Sequence, residues 1–266
     1  MNARNYQREL EALIAENEAS GTVPRLLLHV CCAPCSSWCL EYLAPHFEVT
    51  VYYYNPNIDS AEEYRRRAEE EERLLREMKL PRPVGFLRGP YEPERFAEMA
   101  RGHEKDAEGG ARCSLCYEQR LRKTAEVAKK GNYDCFTTTL TISPMKRADV
   151  LNRIGEQVAK EYQIPFLPSD FKKKDGYRRS TELSKQYSLY RQDYCGCRYS
   201  KAETMRKRAE KRELEQKKPE QRKTEQREPG ERESGQREPG QREPGKREPG
   251  QRESGQRKQA RCPVPN

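Results

Sequence analysis

The sequence predicts an α/β fold in which helices flank a parallel β-sheet. Short apolar or β-branched runs, such as RLLLHV at 25–30 and VTVYYYN at 49–55, alternate with charged segments long enough to form helices. Strands separated by helices of this length require right-handed crossovers, and such crossovers produce parallel sheets. We therefore predict one α/β domain over 1–200, a charged helix at 201–218 and a disordered repeat tail at 219–266.

The elements of the first half follow from apolar periodicity and from turn and capping residues. The turn NPN closes the strand at 49–55, and Asp59 or Ser60 can cap the charged helix behind it. The predicted elements, in chain order, are a helix at 5–18, a strand at 25–30, a helix at 36–43, a strand at 49–55, a helix at 60–78, a strand at 84–87 and a helix from Glu92.

The second half continues the alternation with one β-branched strand, DCFTTTL, between two long helices. The predicted elements are a helix at 114–130, a strand at 134–140, a helix at 146–162, a short strand IPFL at 164–167 and a helix at 177–190. Ligands of open parallel sheets bind beyond the carboxyl ends of the strands, near the switch in strand order. Cys31 and Cys32 directly follow the first strand, which makes this pair a candidate site.

The tail is a five-residue repeat of Arg, Glu, Pro or Ser, and Gly, which buries too little apolar surface to offset its ordering entropy. Residues 203–266 contain 19 Lys and Arg against 13 Glu and so carry 6 of the formal net charge of +9. The body is therefore only mildly basic, which is weak support for an RNA partner. A solvated polyampholyte is favoured over a dedicated RNA tether for the tail.

The N-terminal segment and the cysteine content predict the compartment. MNARNYQRELEALIAENEAS carries charges throughout and lacks the apolar core of a signal peptide, and no run reaches membrane-spanning length. We therefore expect a cytoplasmic protein without membrane contact. Ten cysteines in a reducing compartment are better candidates for metal or redox chemistry than for structural disulfides.

Six of the ten cysteines lie in three tight local arrangements, which are Cys31 with Cys32, Cys113 with Cys116, and Cys195 with Cys197. The remaining four are expected to be small buried hydrophobes or incidental thiols, namely Cys35, Cys39, Cys135 and Cys262. Whether Cys35 contributes a metal ligand stays open.

The adjacent pair and the C-x-x-C motif together predict a metal centre. A disulfide between neighbours closes a strained ring, so Cys31 and Cys32 are expected to point at a shared metal. Cys113 and Cys116 stand at the start of a helix, where the backbone dipole and Arg112 favour the thiolate. Four such thiolates satisfy an iron–sulfur cluster or a zinc ion.

The third arrangement, YCGC, favours redox chemistry over a structural role. Gly196 permits the tight turn that brings the thiols of Cys195 and Cys197 together, and a short strained loop is easily reduced. The alternative is that all six thiols serve structural zinc. No GxGxxG, Walker A or glycine-rich phosphate loop follows the first strand, so no nucleotide cofactor is predicted.

Six ordered blocks carry a resemblance to a known family over about residues 24–200. They are LLLHVCCAPCS, EYRRRAEEEERL, EGGARCSLC, FTTTLTISPMK, SDFKKKDGY and SLYRQDYCGCRYS. With this spacing the chain resembles the cobalamin-independent epoxyqueuosine reductases of the QueH type. The resemblance implies a Rossmann-like fold similar to the nucleotide α-hydrolase group, and reduction of the epoxide of epoxyqueuosine in a tRNA anticodon to the alkene, the last step of queuosine biosynthesis.

The resemblance also implies the roles of the cysteines. The family's cluster ligands fall on Cys31, Cys32, Cys113 and Cys116, which would hold a 4Fe-4S cluster, and its redox pair falls on Cys195 and Cys197. An additional iron that shares some of these thiolates fits the same residues, cobalamin is not involved, and an external electron donor is required. The repeat tail is outside the family pattern.

Further residues are predicted to bind the substrate or to donate a proton. Tyr54, Asn55 and Asn57 lie at the rim of the second strand, where a modified base could bind. Lys173 and Arg178 belong to the basic run SDFKKKDGYRRS, which suits RNA phosphates as well as a solvated surface. The candidate proton donors, by position alone, are Asp170, Asp193 and Tyr194.

Two other functions compete with this interpretation. Another thiol and metal reductase would share the cysteines but would not consume tRNA that contains epoxyqueuosine. A zinc-stabilised RNA-binding protein without catalysis would be colourless, whereas iron–sulfur proteins are brown. The third cysteine pair disfavours the zinc protein, because a structural zinc site does not need it.

Overall fold

The computed structural model describes residues 4–225 and contains eight α-helices and four β-strands in this range. The strands are β1 (Arg25–Val30), β2 (Glu48–Tyr53), β3 (Gly85–Arg88) and β4 (Cys135–Thr138). The helices are α1 (Tyr6–Ala19), α2 (Ala33–Leu43), α3 (Ala61–Glu77), α4 (Pro93–Met99), α5 (Ala111–Lys130), α6 (Ala148–Tyr162), α7 (Gly176–Gln186) and α8 (Arg198–Glu225).

The four strands form one parallel sheet in the order β3-β2-β1-β4. The chain builds outward from β1 to β3 and then returns to the other side of β1, so the switch in strand order lies between β1 and β4. The predicted α/β class, with a parallel sheet flanked by helices, is confirmed. Ligands of such sheets bind at the carboxyl side of the switch point, which here is next to Cys31.

Both faces of the sheet are covered, because successive side chains of a strand point to opposite faces. Leu26 and Leu28 of β1 pack in a core cluster with α1 and α2, whereas Leu27 packs in a second cluster with α5 and α6. Apart from Arg25, every β1 residue is buried. This central position makes β1 a rigid base for the cysteines that follow it.

Two helices begin three residues earlier than the sequence pattern predicts, and both shifts bring cysteines into a first helical turn. In α2, Cys32 is the extended N-cap and Pro34 is accommodated in the first turn, where its missing N–H costs nothing. In α5, Gly110 is the N-cap, so Cys113 and Cys116 lie inside the helix. The thiols of α2 and α5 therefore take their positions from helix geometry.

The predicted strand at 164–167 is wrong, because only an isolated bridge between Phe136 and Phe166 forms there. The Phe136 N–H donates to the Pro165 carbonyl at 3.0 Å, and the Leu167 N–H donates to the Phe136 carbonyl at 2.9 Å. Pro165 and Pro168 lack N–H donors, so the ladder cannot extend in either direction.

The strand predicted at 134–140 is shorter than expected. The side chain of Thr138 accepts a hydrogen bond from the Leu140 N–H at 3.1 Å, which turns the chain into a 3-10 helix at Thr139–Ile142. The helix predicted at 177–190 is α7, which ends at Gln186. Residues 187–197 then cross α3, where the Tyr190 N–H donates to Glu70 at 2.7 Å, and deliver Cys195 to the site.

The predicted charged helix is α8, which begins at Arg198 and continues past residue 218 to Glu225. Most of the predicted tail, residues 226–266, lies outside the described residues, as does Cys262. The division of the chain at 200 and 218 stays a prediction. Among the residues described, no helix is both long and apolar enough to cross a membrane.

Candidate metal and thiol site

Three thiols meet at the carboxyl end of β1. The sulfur atoms of Cys31, Cys32 and Cys35 all lie within 4.8 Å of one another, and those of Cys31 and Cys32 are 3.7 Å apart. Cys31 ends the strand, Cys32 caps α2, and Cys35 follows one turn later, so helix geometry returns the third thiol to the first two. We call this group the CCxxC group.

The charge of the CCxxC group is concentrated on Cys31. Hydrogen bonds from the Cys32 and Cys35 thiols hold the pKa of Cys31 well below its usual range, and the cations of Lys146 and Arg120 add to this effect. The hydrogen bond to Cys31, together with burial, raises the pKa of Cys32 to about 12. One thiolate shared among three sulfurs is a soft, anionic donor set of the kind that binds iron or zinc.

Four further thiols line a small closed cavity of about 20 Å³. Cys113 and Cys116 reach it from α5, and Cys195 and Cys197 reach it from the segment before α8. Burial raises the pKa of Cys116 to about 12 and also raises the pKa of Cys197, so both are protonated at neutral pH. We call these four residues the cavity thiols.

The YCGC turn is fixed by its surroundings. Gly196 has φ +125°, and a Cβ there would lie 3.1 Å from the Arg67 guanidinium, so both the backbone and the space require glycine. The Arg67 guanidinium donates to the Cys195 carbonyl at 3.3 Å. Ser200 accepts from the Cys195 N–H at 3.1 Å, and its own N–H donates to the Cys197 sulfur at 3.3 Å. The turn is therefore held from both sides.

A larger open cavity of about 580 Å³ joins the two groups of thiols. Its wall includes all three residues of the CCxxC group and also Cys195, which lines the small cavity as well. Cys195 is thus the thiol with access to both cavities. The larger cavity is the only one of the two with room for a nucleobase.

The structure groups the cysteines differently from the sequence-based hypothesis. Cys31 and Cys32 are joined by Cys35, whereas Cys113 and Cys116 share their cavity with Cys195 and Cys197. Contact between the groups is nevertheless close, because Cys31 and Cys113 both pack against the cluster that contains Tyr117. Cys39 and Cys135 are buried in the core, in line with the expected role of small hydrophobes.

Arg120 of α5 is a buried cation between the two cavities. Its side chain is 1% exposed, it lines both cavities, and its Nη2 has no hydrogen-bond partner. Nη1 donates to Asn55 Oδ1 at 3.4 Å, and Asn55 in turn donates to the Val30 carbonyl at 2.9 Å. A buried guanidinium donor without a partner costs free energy unless a water molecule or an anion satisfies it, so this donor is available to a ligand of either cavity.

Of the predicted substrate-binding residues from the second strand, Asn57 faces a cavity. It lines the small cavity, and its Oδ1 is buried without a partner. Asn55 holds Arg120 as described above. Tyr54 instead belongs to the core, because its ring stacks on Tyr52 with centroids 5.9 Å apart and its hydroxyl donates to Glu92 at 2.9 Å.

The other predicted residues are mostly engaged in ion pairs. Asp193 lines the large cavity and pairs with Arg208 at 2.6 Å. Asp170 pairs with Lys172 at 2.9 Å, outside the walls of both cavities. Arg178 pairs with Asp175 and Glu182, and both Arg178 and Lys173 are exposed, so this basic run is accessible to solvent and to RNA phosphates alike.

Tyr194, the remaining candidate proton donor, lines the large cavity. Its hydroxyl donates to Asp59 at 2.8 Å, and burial, together with that hydrogen bond, raises its pKa above the usual value. The hydroxyl therefore stays protonated, but its proton is already directed at a carboxylate.

Sequence reasoning missed Arg120, Lys146 and Glu71. Lys146 lines the large cavity, and Glu71 is fully buried, where it accepts a hydrogen bond from Ser36 at 2.8 Å. Arg120 and Glu71 sit in highly charged helices, where charged residues usually face solvent, so the pattern contained no signal for them. Cys35 did carry a signal, since it lies three positions after the helix N-cap, Cys32.

Comparisons with known proteins agree on one family. The family model described as epoxyqueuosine reductase QueH matches residues 26–203. The chain is 43% identical over 198 residues to epoxyqueuosine reductase QueH of Streptococcus pyogenes, which covers 74% of this chain and 78% of that protein. The protein of the same name from Staphylococcus epidermidis is 41% identical over 197 residues, covering 73% of this chain and 83% of that protein.

A relative with lower sequence identity carries the same name. Epoxyqueuosine reductase QueH of Haemophilus influenzae is 37% identical over 188 residues, covering 70% of this chain and 75% of that protein. The matched residues 26–203 include both groups of thiols and Arg120.

Proposed function

The chain belongs to the epoxyqueuosine reductase QueH family, and from that premise we propose that it reduces the epoxide of epoxyqueuosine in tRNA to the alkene of queuosine. The observation that carries the proposal is the pair of thiol groups at the switch point of the sheet, with Cys195 lining the cavities of both. Such an arrangement offers a metal-ligating group and a redox-active pair beside one substrate-sized cavity.

The residues fit an iron–sulfur centre. The CCxxC group supplies soft donors, Cys113 and Cys116 supply two more, and the cations of Arg120 and Lys146 offset the negative charge of thiolates. We propose that Cys31, Cys32, Cys113 and Cys116 hold a 4Fe-4S cluster and that Cys35 is available to an additional iron. Bound there, the cluster supplies one-electron transfer and Lewis acidity.

The electrons are proposed to come from Cys195 and Cys197. Oxidation of this dithiol to a disulfide releases two electrons and two protons. Conversion of the epoxide to an alkene breaks both C–O bonds of the ring, consumes two electrons and two protons, and releases the oxygen as water. The two half-reactions therefore balance, and an external electron donor must reduce the disulfide before the next turnover.

The remaining side chains are proposed to orient the substrate and to handle charge. The free Nη2 of Arg120 is positioned to donate a hydrogen bond to the oxygen that leaves the ring. Burial raises the pKa of Cys197, so this thiol stays protonated and can deliver a proton as it is oxidised. Asp193 and Tyr194 also line the large cavity, but Asp193 is ion-paired with Arg208 and the Tyr194 hydroxyl donates to Asp59, so the proton is assigned to Cys197.

The test is reduction of tRNA that contains epoxyqueuosine by the anaerobically purified protein. Digestion to nucleosides and mass spectrometry should show loss of one oxygen atom, and the protein should contain iron and sulfide and absorb broadly in the visible. Cys135→Ala is a matched control. This buried thiol is the first residue of β4 and so lies at the amino ends of the strands, whereas the site lies at their carboxyl ends.

Two outcomes would replace the proposal. A colourless protein that contains zinc and binds RNA without altering it would support the zinc-stabilised binding protein. A protein that contains iron but leaves epoxyqueuosine intact while it reduces small disulfides would support another thiol reductase. We also propose a cytoplasmic location, on the basis of the proposed tRNA substrate.

A further inference from the structure

One wall of the large cavity comes from residues beyond the segment that matches the family. The match ends at residue 203, and α8 continues to line the cavity with Lys207, Arg208 and Lys211. We call these three residues the α8 strip. The helical rise places Lys207 and Lys211 about 6 Å apart along the axis, which is of the order of the separation between adjacent phosphates along one strand.

The α8 strip is joined by other cations in the wall of the large cavity. Lys146 and Arg191 line the same cavity, whereas Glu108 and Asp193 are the acidic residues in its wall. The large cavity is therefore surrounded by an excess of positive charge among the described residues. A positive rim around a pocket attracts a polyanion and guides part of it inward.

The ion pairs of the α8 strip are of a kind that a phosphate can replace. Lys207 pairs with Glu203 at 2.7 Å, Arg208 with Asp193 at 2.6 Å and Lys211 with Glu215 at 3.7 Å. The side chains of the three cations are 62%, 56% and 77% exposed, respectively. Exposed ion pairs contribute little to stability and exchange readily with solvent ions.

Two exposed apolar side chains stand at the same rim. Met145 is 67% exposed and Tyr177 is 44% exposed, and both line the large cavity. A small anion does not bind to apolar side chains, whereas the unstacked bases of single-stranded RNA pack on aromatic and apolar side chains beside a row of cations. The combination of cations, an exposed ring and a pocket of nucleobase size favours single-stranded RNA over a simple anion.

We propose that the α8 strip binds phosphates of the anticodon stem-loop while the modified base enters the large cavity and neighbouring bases pack on Tyr177 and Met145. The inference rests on the proposed function, because that function identifies the polyanion as RNA. It adds a contact surface that the family segment 26–203 does not contain. The strip is a positioning element and takes no part in the reduction.

The experiment compares two triple variants of the full-length, iron-loaded protein. Lys207→Gln, Arg208→Gln and Lys211→Gln together remove the strip. Lys79→Gln, Lys130→Gln and Lys160→Gln are the matched control, because these exposed lysines lie near the carboxyl ends of α3, α5 and α6, at the opposite edge of the sheet. The probe is a synthetic anticodon stem-loop that carries epoxyqueuosine, and its binding is followed by fluorescence anisotropy at several salt concentrations.

Loss of the strip should weaken binding about tenfold or more near 0.1 M salt. It should also lower the slope of log affinity against log salt by about 2, since each neutralised phosphate contributes about 0.7 to 0.9. Reduction of the stem-loop should show the loss in KM and not in kcat, and the single variant Arg208→Lys should retain the wild-type slope. The control triple should stay within about twofold of wild type.

The two proposals fail in distinguishable ways. If the strip triple loses affinity and slope while the control triple does not, but the wild type leaves the epoxide intact, the proposed function fails and the strip is upheld. If the wild type reduces the epoxide and the strip triple binds with unchanged slope and affinity, the strip is overturned. An equal loss in both triples would also overturn it, because binding would then depend on net charge alone.

Discussion

The two groups of thiols are built in different ways. The CCxxC group is local in sequence, since one strand end and one helical turn bring its three sulfurs within 4.8 Å. The cavity thiols come from α5 and from a segment about eighty residues later, and they meet only when the domain is folded. The first group concentrates a negative charge, whereas burial keeps Cys116 and Cys197 of the second group protonated.

This difference separates the two tasks of a reductase. A group that favours a thiolate is ready to bind a metal, because thiolates are the ligating form. In the second group, Cys195 and Cys197 are the proposed source of electrons, and the protonated thiol of Cys197 keeps a proton with them until the substrate is present. Cys195 lines both cavities, so the two groups can act on one substrate in the large cavity.

The largest expected effect comes from breaking the local group. Cys31→Ala removes the sulfur that bears the charge, and we expect loss of bound iron and a fall in turnover of about 1,000-fold or more, as for an essential metal ligand. Iron content, visible absorbance and turnover with modified tRNA provide the measurement. The control Cys135→Ala should behave like wild type. If Cys31→Ala retained its iron, the CCxxC group would not be part of the metal site.

Cys197→Ala is expected to act on the second group alone. The variant should keep wild-type iron content and visible absorbance, because the CCxxC group is intact, but should lose turnover about 100-fold or more because no disulfide can form. Comparison of iron content with turnover checks this separation. Loss of iron in Cys197→Ala would instead assign Cys197 to the metal site together with Cys113 and Cys116.

Arg120 links the two groups, so its replacement tests whether they cooperate. Arg120→Lys keeps a positive charge but loses the guanidinium contacts with Asn55 and with the Cys116 carbonyl. We expect kcat to fall by about 100-fold, the typical effect of removing a donor to a developing negative charge. Lys123→Gln is a matched control on the same helix, and an Arg120→Lys enzyme with normal kcat would exclude Arg120 from catalysis.

How much the sequence reveals depends on the same distinction between local and distant contacts. The parallel sheet, its order of helices and the candidate position of Cys31 follow from local apolar patterns, and the fold class and the family are confirmed. Cys35 and the early start of α2 were readable from helix spacing but were outweighed by the visible cysteine pairs. Arg120 and Glu71 were not readable, because burial of a charged helix residue depends on partners far away in sequence.

Glu71 provides a smaller test on the side of the CCxxC group. Burial, with the charge of Cys31, raises the pKa of this carboxyl to about 8 from its ordinary value of 4.5, so the folded protein holds the acid neutral at pH 7. Between pH 4.5 and about pH 8, the Glu71 carboxyl is ionised in the unfolded chain and neutral in the folded protein. The free energy of unfolding should therefore fall by about 1.4 kcal/mol per pH unit relative to a variant without this group.

Glu71→Gln is the variant for this comparison, because the amide keeps the acceptor for Ser36. Urea unfolding of both proteins between pH 5 and 9 should show the stability of the wild type relative to Glu71→Gln falling from about pH 5 upward and levelling off above about pH 8. A difference that does not change with pH would show that Glu71 is ionised in the folded protein. Glu72→Gln on the more exposed side of α3 supplies the control.

The smallest effect is expected from the repeat tail, which contrasts with the α8 strip just before it. Residues 219–266 contain 12 Lys and Arg against 9 Glu, so the charges are nearly balanced and offer RNA no single basic track. Deletion of everything after Lys218 keeps the strip, and turnover and the salt slope of stem-loop binding should stay within about twofold of wild type. A large loss of activity in the truncated protein would show that the tail, and not the strip, makes the contact with RNA.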